Sequence, residues 1–430
     1  MALALPALGT LAAEPLYVLA DTAIVGHLGT TPLAGLALAA SVLLLVTAGC
    51  NFLAYATTQR LAHHRGGGHA GKAAAVGVQA LWLCALIGIP IAVALAAGAR
   101  PLAAMLGGRG EVLDAATTYL RISAVGIPFV LVALVGQGVL RGMEDLRTPL
   151  VIVLVANGVN LVLEIVAVYL LDLGIAGSAW STVVVQALAA VAFLSVMRPH
   201  LAAADSHRPD RAEMAPFLTA GRHLAMRVGA VLVVITGTTF VAARIDEATL
   251  AAHQIAATLF SFLALVTDAF AIPAQTLVAG TLGRGDTVGA ADVGRRVLRM
   301  ATGTAVALGV LLAIGAWPLA HLFTSDPAVV SRATVALVLL ALAQPAAGVA
   351  MSLDGVLIGA ADYRFLGAAA GLSALAFLPL AALTLAVPAL GIVGVWLAVN
   401  TWMVARAALN RRRFRSRTWT ATATPAAVQS

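Results

Sequence analysis

Gln137-Gly138-Val139-Leu140-Arg141-Gly142-Met143-Glu144-Asp145-Leu146-Arg147 is echoed 217 residues later by Asp354-Gly355-Val356-Leu357-Ile358-Gly359-Ala360-Ala361-Asp362-Tyr363-Arg364. The two stretches share Gly-Val-Leu, a glycine two positions on, and an Asp and an Arg two residues apart. The same offset carries Leu33-Ala34 onto Leu250-Ala251, Gly66 and Gly68 onto Gly283 and Gly285, and Gly77 onto Gly294. It also pairs Pro128 with Pro345, and Gly174-Ile175 and Gly177 with Gly391-Ile392 and Gly394. A shared richness in Ala, Leu and Gly scatters matches over many offsets; it does not put rare Asp, Arg and Pro in one register. The chain is an internal duplication.

The nature of the duplicated unit is set by composition. Apolar residues make up 61% of the 430 positions and charged residues 10%, against roughly 25% charged in soluble domains. So little polar surface excludes a water-soluble globule of this size. A membrane-crossing helix needs about 20 apolar residues, and polar or Gly/Pro-rich breaks mark out such segments. The predicted helices are 3–28, 33–60, 74–98, 115–140, 148–171 and 176–197, then 216–245, 250–282, 292–319, 330–358, 365–387 and 391–409. The expected fold is an all-α integral membrane protein of twelve transmembrane helices in two six-helix lobes. Residues 1–197 form the N-terminal lobe, 198–214 a cytoplasmic connector, 215–412 the C-terminal lobe and 413–430 a cytoplasmic tail. No basic region precedes the first apolar run, so no cleaved signal peptide is expected.

The net charge of +7 reads as orientation. With both termini cytoplasmic, all but five of the 26 Lys and Arg fall on the inner side; the exceptions are Arg100, Arg109, Arg121, Arg244 and Arg332. That is the positive-inside distribution, and it removes the case for nucleic-acid binding. Because six is even, both copies enter the membrane from the same face. This is a parallel pseudo-two-fold repeat, an architecture in which transporters place the substrate path between lobes that rock.

Acids inside a bilayer are costly and point to function. The first helix carries Glu14 and Asp21 on one face with Tyr17 between them, and the fifth carries Asn157, Asn160 and Glu164 at i, i+3 and i+7. The sixth offers Ser178, Thr182 and Gln186 on one stripe. Asp21, Glu164 and Thr182 each lie about six or seven residues from the outer helix end, roughly 10 Å at 1.5 Å per residue. Neighbouring helices would gather them into one buried cluster, where two close carboxylates cannot both stay ionised cheaply. Such a cluster loads and unloads a proton or a cation. At the repeat offset Glu14, Asp21 and Glu164 face Val231, Thr238 and Ala381, so the fold does not require these acids and one lobe alone handles the ion.

Other residues carry less. Pro6 either kinks the first helix or sits harmlessly in its first turn. Gln137 and Asp354 face each other across the repeat and give both lobes a polar residue on the substrate path or gate. Asp268 and His253 are weaker candidates of the same kind. Gly66–Ala73 reads GGGHAGKA, which lacks the Ser/Thr of a phosphate-binding loop and has no strand before it; it is a turn, and ATP-driven transport has no support. His63, His64 and His69 share that loop and are expected in solvent. Cys50 and Cys84 lie in apolar runs and offer neither a disulfide framework nor a metal cluster. An integral-membrane enzyme would need a cofactor or metal constellation, and none is expected.

The run Leu19-Ala20-Asp21-Thr22-Ala23-Ile24-Val25-Gly26-His27-Leu28-Gly29, with Leu33-Ala34 after it, resembles the first-helix signature of MATE (multidrug and toxic compound extrusion) transporters. Ala13-Glu14-Pro15-Leu16 ahead of it is similar to the DinF branch, and the repeated stretches at Gln137 and Asp354 also resemble the family. The resemblance implies a proton-responsive Asp21, a helix-1 proline at Pro6, a coupling pair at Asn160 and Glu164, and a helix-6 threonine at Thr182. It departs at Glu164, where an aspartate is more usual. The implied function is a secondary antiporter, a functional monomer in the bacterial cytoplasmic membrane. It would export organic, cationic compounds against protons, with sodium coupling or flipping of a lipid-linked precursor as alternatives.

Overall fold

The structure, a computed structural model, describes residues 7–11 and 21–421. The helical residues 7–11 and 21–26 are labelled α1; Pro6, Glu14 and Tyr17 lie outside the described residues. The first half continues with α2 (Thr30–Cys50), α3 (Phe52–Gly66), α4 (Ala70–Met105), α5 (Gly110–Gly142), α6 (Arg147–Ile165) and α7 (Gly174–Leu201). The second half contains α8 (Arg211–Ala243), α9 (Glu247–Gly283), α10 (Thr287–Phe323), α11 (Pro327–Gly359), α12 (Tyr363–Ala386) and α13 (Gly391–Ser416). Eleven stretches among the described residues are long and apolar enough to cross a membrane, α2 and α3 counting as one. The expected first span, 3–28, is described only in part.

Most helices run beyond the apolar stretches that marked them: α4 covers 70–105 rather than 74–98, and α10 covers 287–323 rather than 292–319. Hydropathy delimits the part of a helix that faces hydrocarbon, whereas capping decides where the helix stops. Asp246, Asp286 and Asp326 are N-caps whose carboxylates accept from the backbone N–H of Thr249, of Gly289, and of Ala328 and Val329 respectively. Each satisfies donors that a helix start leaves open. Several of the chain's few acids are spent on this work.

The chain divides into two compact units, Met1–Gly221 and Arg222–Ser430. In the first, α5 packs against α2, α3, α4 and α7; in the second, α11 packs against α9, α10 and α13. The duplication explains the correspondence. Helix starts Thr30/Glu247, Ala70/Thr287, Gly110/Pro327 and Gly174/Gly391 keep the sequence offset. So do the left-handed turn residues Gly68/Gly285 (φ 78° and 77°), Glu144/Ala361 (67° and 57°) and Gly174/Gly391 (54° and 52°). A turn with φ > 0 is strained for any residue with a side chain, so its recurrence at Glu144 and Ala361 marks a geometry kept by the loop itself.

The Gly-Val-Leu-x-Gly motif has a packing reason. A Cβ at Gly138 would lie 2.8 Å from the Ala54 carbonyl oxygen, and one at Gly142 3.1 Å from that of Thr58. In the second unit a Cβ at Gly359 would lie 2.5 Å from the Gln275 carbonyl oxygen, and one at Gly355 closer still to that of Ala271. Each glycine pair lets two helix backbones touch, the small-residue packing that replaces hydrophobic attraction in lipid. In the first unit Thr58 also donates from Oγ1 to the Gly138 carbonyl at 3.0 Å.

Two departures break the correspondence. The single helix expected over 33–60 is interrupted at Asn51, between α2 and α3, whereas α9 runs unbroken through the matching Asp268. The helix expected over 148–171 leaves α geometry after Ile165 and continues as a π-turn, Val166–Leu170, with Leu171 N–H donating to Val166 C=O at 3.0 Å. In the second unit α12 stays α-helical through Ala386, the counterpart of Tyr169.

Candidate functional site

In the first unit α1, α5, α6 and α7 bring a polar cluster together. Asp21 is 6% exposed and Glu164 0%. Ser178, in the first turns of α7, donates from Oγ to Asp21 Oδ1 at 2.9 Å. Asn160, one turn before Glu164 on α6, donates from Nδ2 to Thr182 Oγ1 at 3.4 Å, and Thr182 donates to the Ser178 carbonyl at 3.0 Å. Asp21 and Ser178 lie within interaction range of the Glu164 carboxyl. The i, i+4 spacing of Asn160 to Glu164 and of Ser178 to Thr182 faces both pairs to one side of their helices.

Among the described residues no basic side chain pairs with the acids, and both Glu164 oxygens and Asn160 Oδ1 are buried without a hydrogen-bond partner. An uncompensated carboxylate at this depth costs several kcal/mol (about 2.5–3.5 for Asp at a helix centre). Buried acceptors left open in this way suit a proton, a cation or a donor group on a bound molecule.

One member escaped the sequence reading. Tyr119 of α5 is buried and places its hydroxyl beside Ser178 and Thr182, within electrostatic reach of Asp21 and Glu164. It sits on an otherwise acid-free stretch of helix, so a search for charge passed over it. The available signal was a stripe: Tyr119, Ser123 and Gly126 recur at i, i+4 and i+7, and Ser123 is also buried. Gly126 makes room for the Gln186 amide, whose oxygen would collide with a Cβ there. Asn157 is half-buried on α6, one turn before Asn160.

The remaining candidates are elsewhere. Gln137 accepts from Arg141 Nη2 at 2.7 Å, one turn along its own helix. In the second unit Asp354 of α11 accepts from Arg227 Nε and Nη2 at 3.2 and 2.7 Å, from Arg406 Nη2, and through Oδ1 from Asn410 Nδ2 at 2.7 Å. Its carboxylate is saturated by protein donors, unlike that of Glu164. Asp268 of α9 lies within electrostatic reach of both arginines and of Asp354. His253 is buried, shares a 3.1 Å hydrogen bond with Thr239 and stands 5.9 Å, centroid to centroid, from the Trp396 ring. Only Gly67–His69 form the turn from α3 to α4; Gly66 closes α3 and Ala70–Ala73 open α4, and His63 and His64 lie half-buried in the last turn of α3 rather than in a solvated loop. Among the described residues no three of His, Cys, Asp and Glu are placed to share a metal ion, and Cys50 and Cys84 are free thiols.

A family model described as MatE matches residues 6–166 and 228–383. Protein DETOXIFICATION 44, chloroplastic, of Arabidopsis thaliana is 32% identical over 431 residues, covering 97% of this chain and 82% of that protein. DNA damage-inducible protein F of Escherichia coli K12 is 28% identical, covering 97% and 92%. The fold is that of a crystal structure of MATE in the bent conformation, with TM-score 0.89, 20% identity, and 98% and 96% of the two chains covered.

Proposed function

The chain belongs to the MatE family, the multidrug and toxic compound extrusion transporters, and from that premise we propose that it is a proton-driven antiporter exporting organic, cationic compounds. The observation that carries this reading is the pair of buried acids, Asp21 and Glu164, with no cation beside them among the described residues. A proton arriving from outside neutralises the pair and weakens its hold on a positively charged substrate. When the proton leaves on the inner side, the pair recovers its charge and binds the next substrate. Asn160, Thr182, Ser178 and Tyr119 keep the carboxylates oriented and offer hydrogen bonds to either occupant. The site turns over by alternating access across the cytoplasmic membrane, with both termini inside.

The test uses the full chain in proteoliposomes. An imposed inward proton gradient should drive efflux of a fluorescent organic cation, and Asp21→Asn should abolish that flux while leaving the protein monodisperse in detergent. The substitution is nearly isosteric and keeps an acceptor for Ser178, so stability should change by no more than about 1 kcal/mol, the worth of one hydrogen bond. Unchanged flux in the variant, or flux that tracks a sodium gradient at constant pH, would overturn the proton assignment.

A further inference from the structure

The π-turn Val166–Leu170 begins two residues after Glu164, and it has a partner. Tyr169, inside it, donates from its hydroxyl to the Ile24 carbonyl at 2.9 Å. Ile24 is three residues beyond Asp21, one helical turn along α1. A π-turn inserts an extra residue into a helix and re-aims the side chains beyond it, and such turns gather at functional sites. Here it swings a tyrosine onto the end of a neighbouring helix. The second unit has neither part of this device, since α12 is regular there and Ala386 stands at the matching position.

The end of α1 depends on such contacts. A helix C-terminus leaves carbonyls without intrahelical donors. His27 Nδ1 makes a 2.7 Å hydrogen bond with the Ala23 carbonyl, and the Ile24 carbonyl takes the Tyr169 hydroxyl as well as the His27 N–H at 3.2 Å. The result is a chain of connections: from Glu164 along the backbone to Tyr169, across the hydroxyl to Ile24, and back one turn to Asp21, whose carboxylate lies within electrostatic reach of Glu164. On its far side the Asp21 carboxylate is held by Ser178 of α7. The groups facing Asp21 among the described residues are thus Glu164 from α6, Tyr119 from α5 and Ser178 from α7, with no basic side chain among them.

We propose that Tyr169 is a positioning residue for the coupling site: its bond to Ile24 holds α1 so that Asp21 stays against Glu164. The distance between the two acids then sets how strongly each resists sharing the site in its charged form. Loosening the tether lets α1 drift and water enter, and the proton response of the transporter shifts. This inference rests on the proton-coupled reading of Asp21 and Glu164.

Proteoliposomes containing wild type, Tyr169→Phe and Asp21→Asn, assayed for efflux of a fluorescent organic cation from pH 5.5 to 8.5, separate the two claims. Phenylalanine keeps the ring and removes only the hydroxyl. Loss of one hydrogen bond of this kind predicts about a fivefold change in the balance between held and loosened α1, and a shift in the pH midpoint of roughly half a unit, with a ceiling of about 0.7. A spin label at His27→Cys should gain mobility in the Tyr169→Phe background. A wild-type pH midpoint together with unchanged label mobility, while Asp21→Asn is inactive, overturns the role of Tyr169 alone. Proton-driven efflux persisting in Asp21→Asn overturns the underlying reading instead. A Tyr169→Phe protein whose rate falls with an unmoved midpoint and unchanged mobility also counts against the proposal, because that is the signature of mere destabilisation.

Discussion

Asp21 and Asp145 show how differently the same side chain is used in one chain. Asp21 is buried and accepts from a neutral donor, the Ser178 hydroxyl. Asp145 sits in the loop between α5 and α6 and accepts from the backbone N–H of Arg147 and Thr148, each at 3.0 Å. Burial works to raise the Asp145 carboxyl, but the Thr148 side chain and the two backbone donors outweigh it and hold it below the ordinary carboxylate range. A group depressed in the folded state stabilises above its unfolded value, about 3.9 for Asp, and loses that contribution as pH falls through the folded value. Asp145→Asn should therefore lower thermal stability at pH 7, by about 1 kcal/mol on the scale of a helix-start cap. The gap from wild type should narrow below about pH 4, and a gap independent of pH in a thermal-shift series would refute the assignment. At this scale the sequence was legible where chemistry announces itself: Asp21, Asn160, Glu164 and Thr182 could be chosen by charge, spacing and depth. Tyr169 could not, because nothing in a lone tyrosine says which neighbouring helix its hydroxyl will meet, and Tyr119 left only the stripe it shares with Ser123 and Gly126.

Among the elements, α5 and α11 hold their units together by a shared device, and α11 adds one of its own. Asp354 of α11 ties α8 and α13 through Arg227, Arg406 and Asn410. Its repeat counterparts in the first unit are the neutral Gln137, Thr10, Ala189 and Phe193. Removing one partner of a buried ion pair strands the other charge, at about 3–5 kcal/mol. Asp354→Ala, which takes from Arg227 and Arg406 the carboxylate they share, should lower the melting midpoint measured by fluorescence-detected size exclusion far more than Asp21→Asn does, although Asp21 is the residue assigned to transport. Equal melting of the two variants would remove the distinction between a structural and a responsive acid. The helices themselves were legible because an apolar run of transmembrane length has few other uses. Their ends were not, since caps such as Asp246 and Asp326 lie outside the apolar run. The breaks at Asn51 and at the π-turn escaped as well, because neither leaves a mark on hydropathy.

For the whole molecule, the duplication was the most legible feature, and the structure repeats it down to the backbone angles of its turns. One offset relates helix starts, helix-touching glycines and left-handed residues within each unit. The distribution of arginine predicts that both ends of the chain face the cytoplasm. A C-terminal green fluorescent protein fusion should fluoresce and a C-terminal alkaline phosphatase fusion should be inactive; the opposite pattern would reverse the topology.

The saturated cluster around Asp354 also bears on how such a protein can change over generations. On the proposed reading the acids of the first unit serve transport and not folding, so drift and selection can retune them one at a time. Arg227, Arg406, Asp354 and Asn410 have less freedom: a single step out of the set passes through a destabilised ancestor. In related sequences these four positions should be inherited or replaced as a block, leaving a covariation signal in the second half of the chain that the coupling site in the first half lacks.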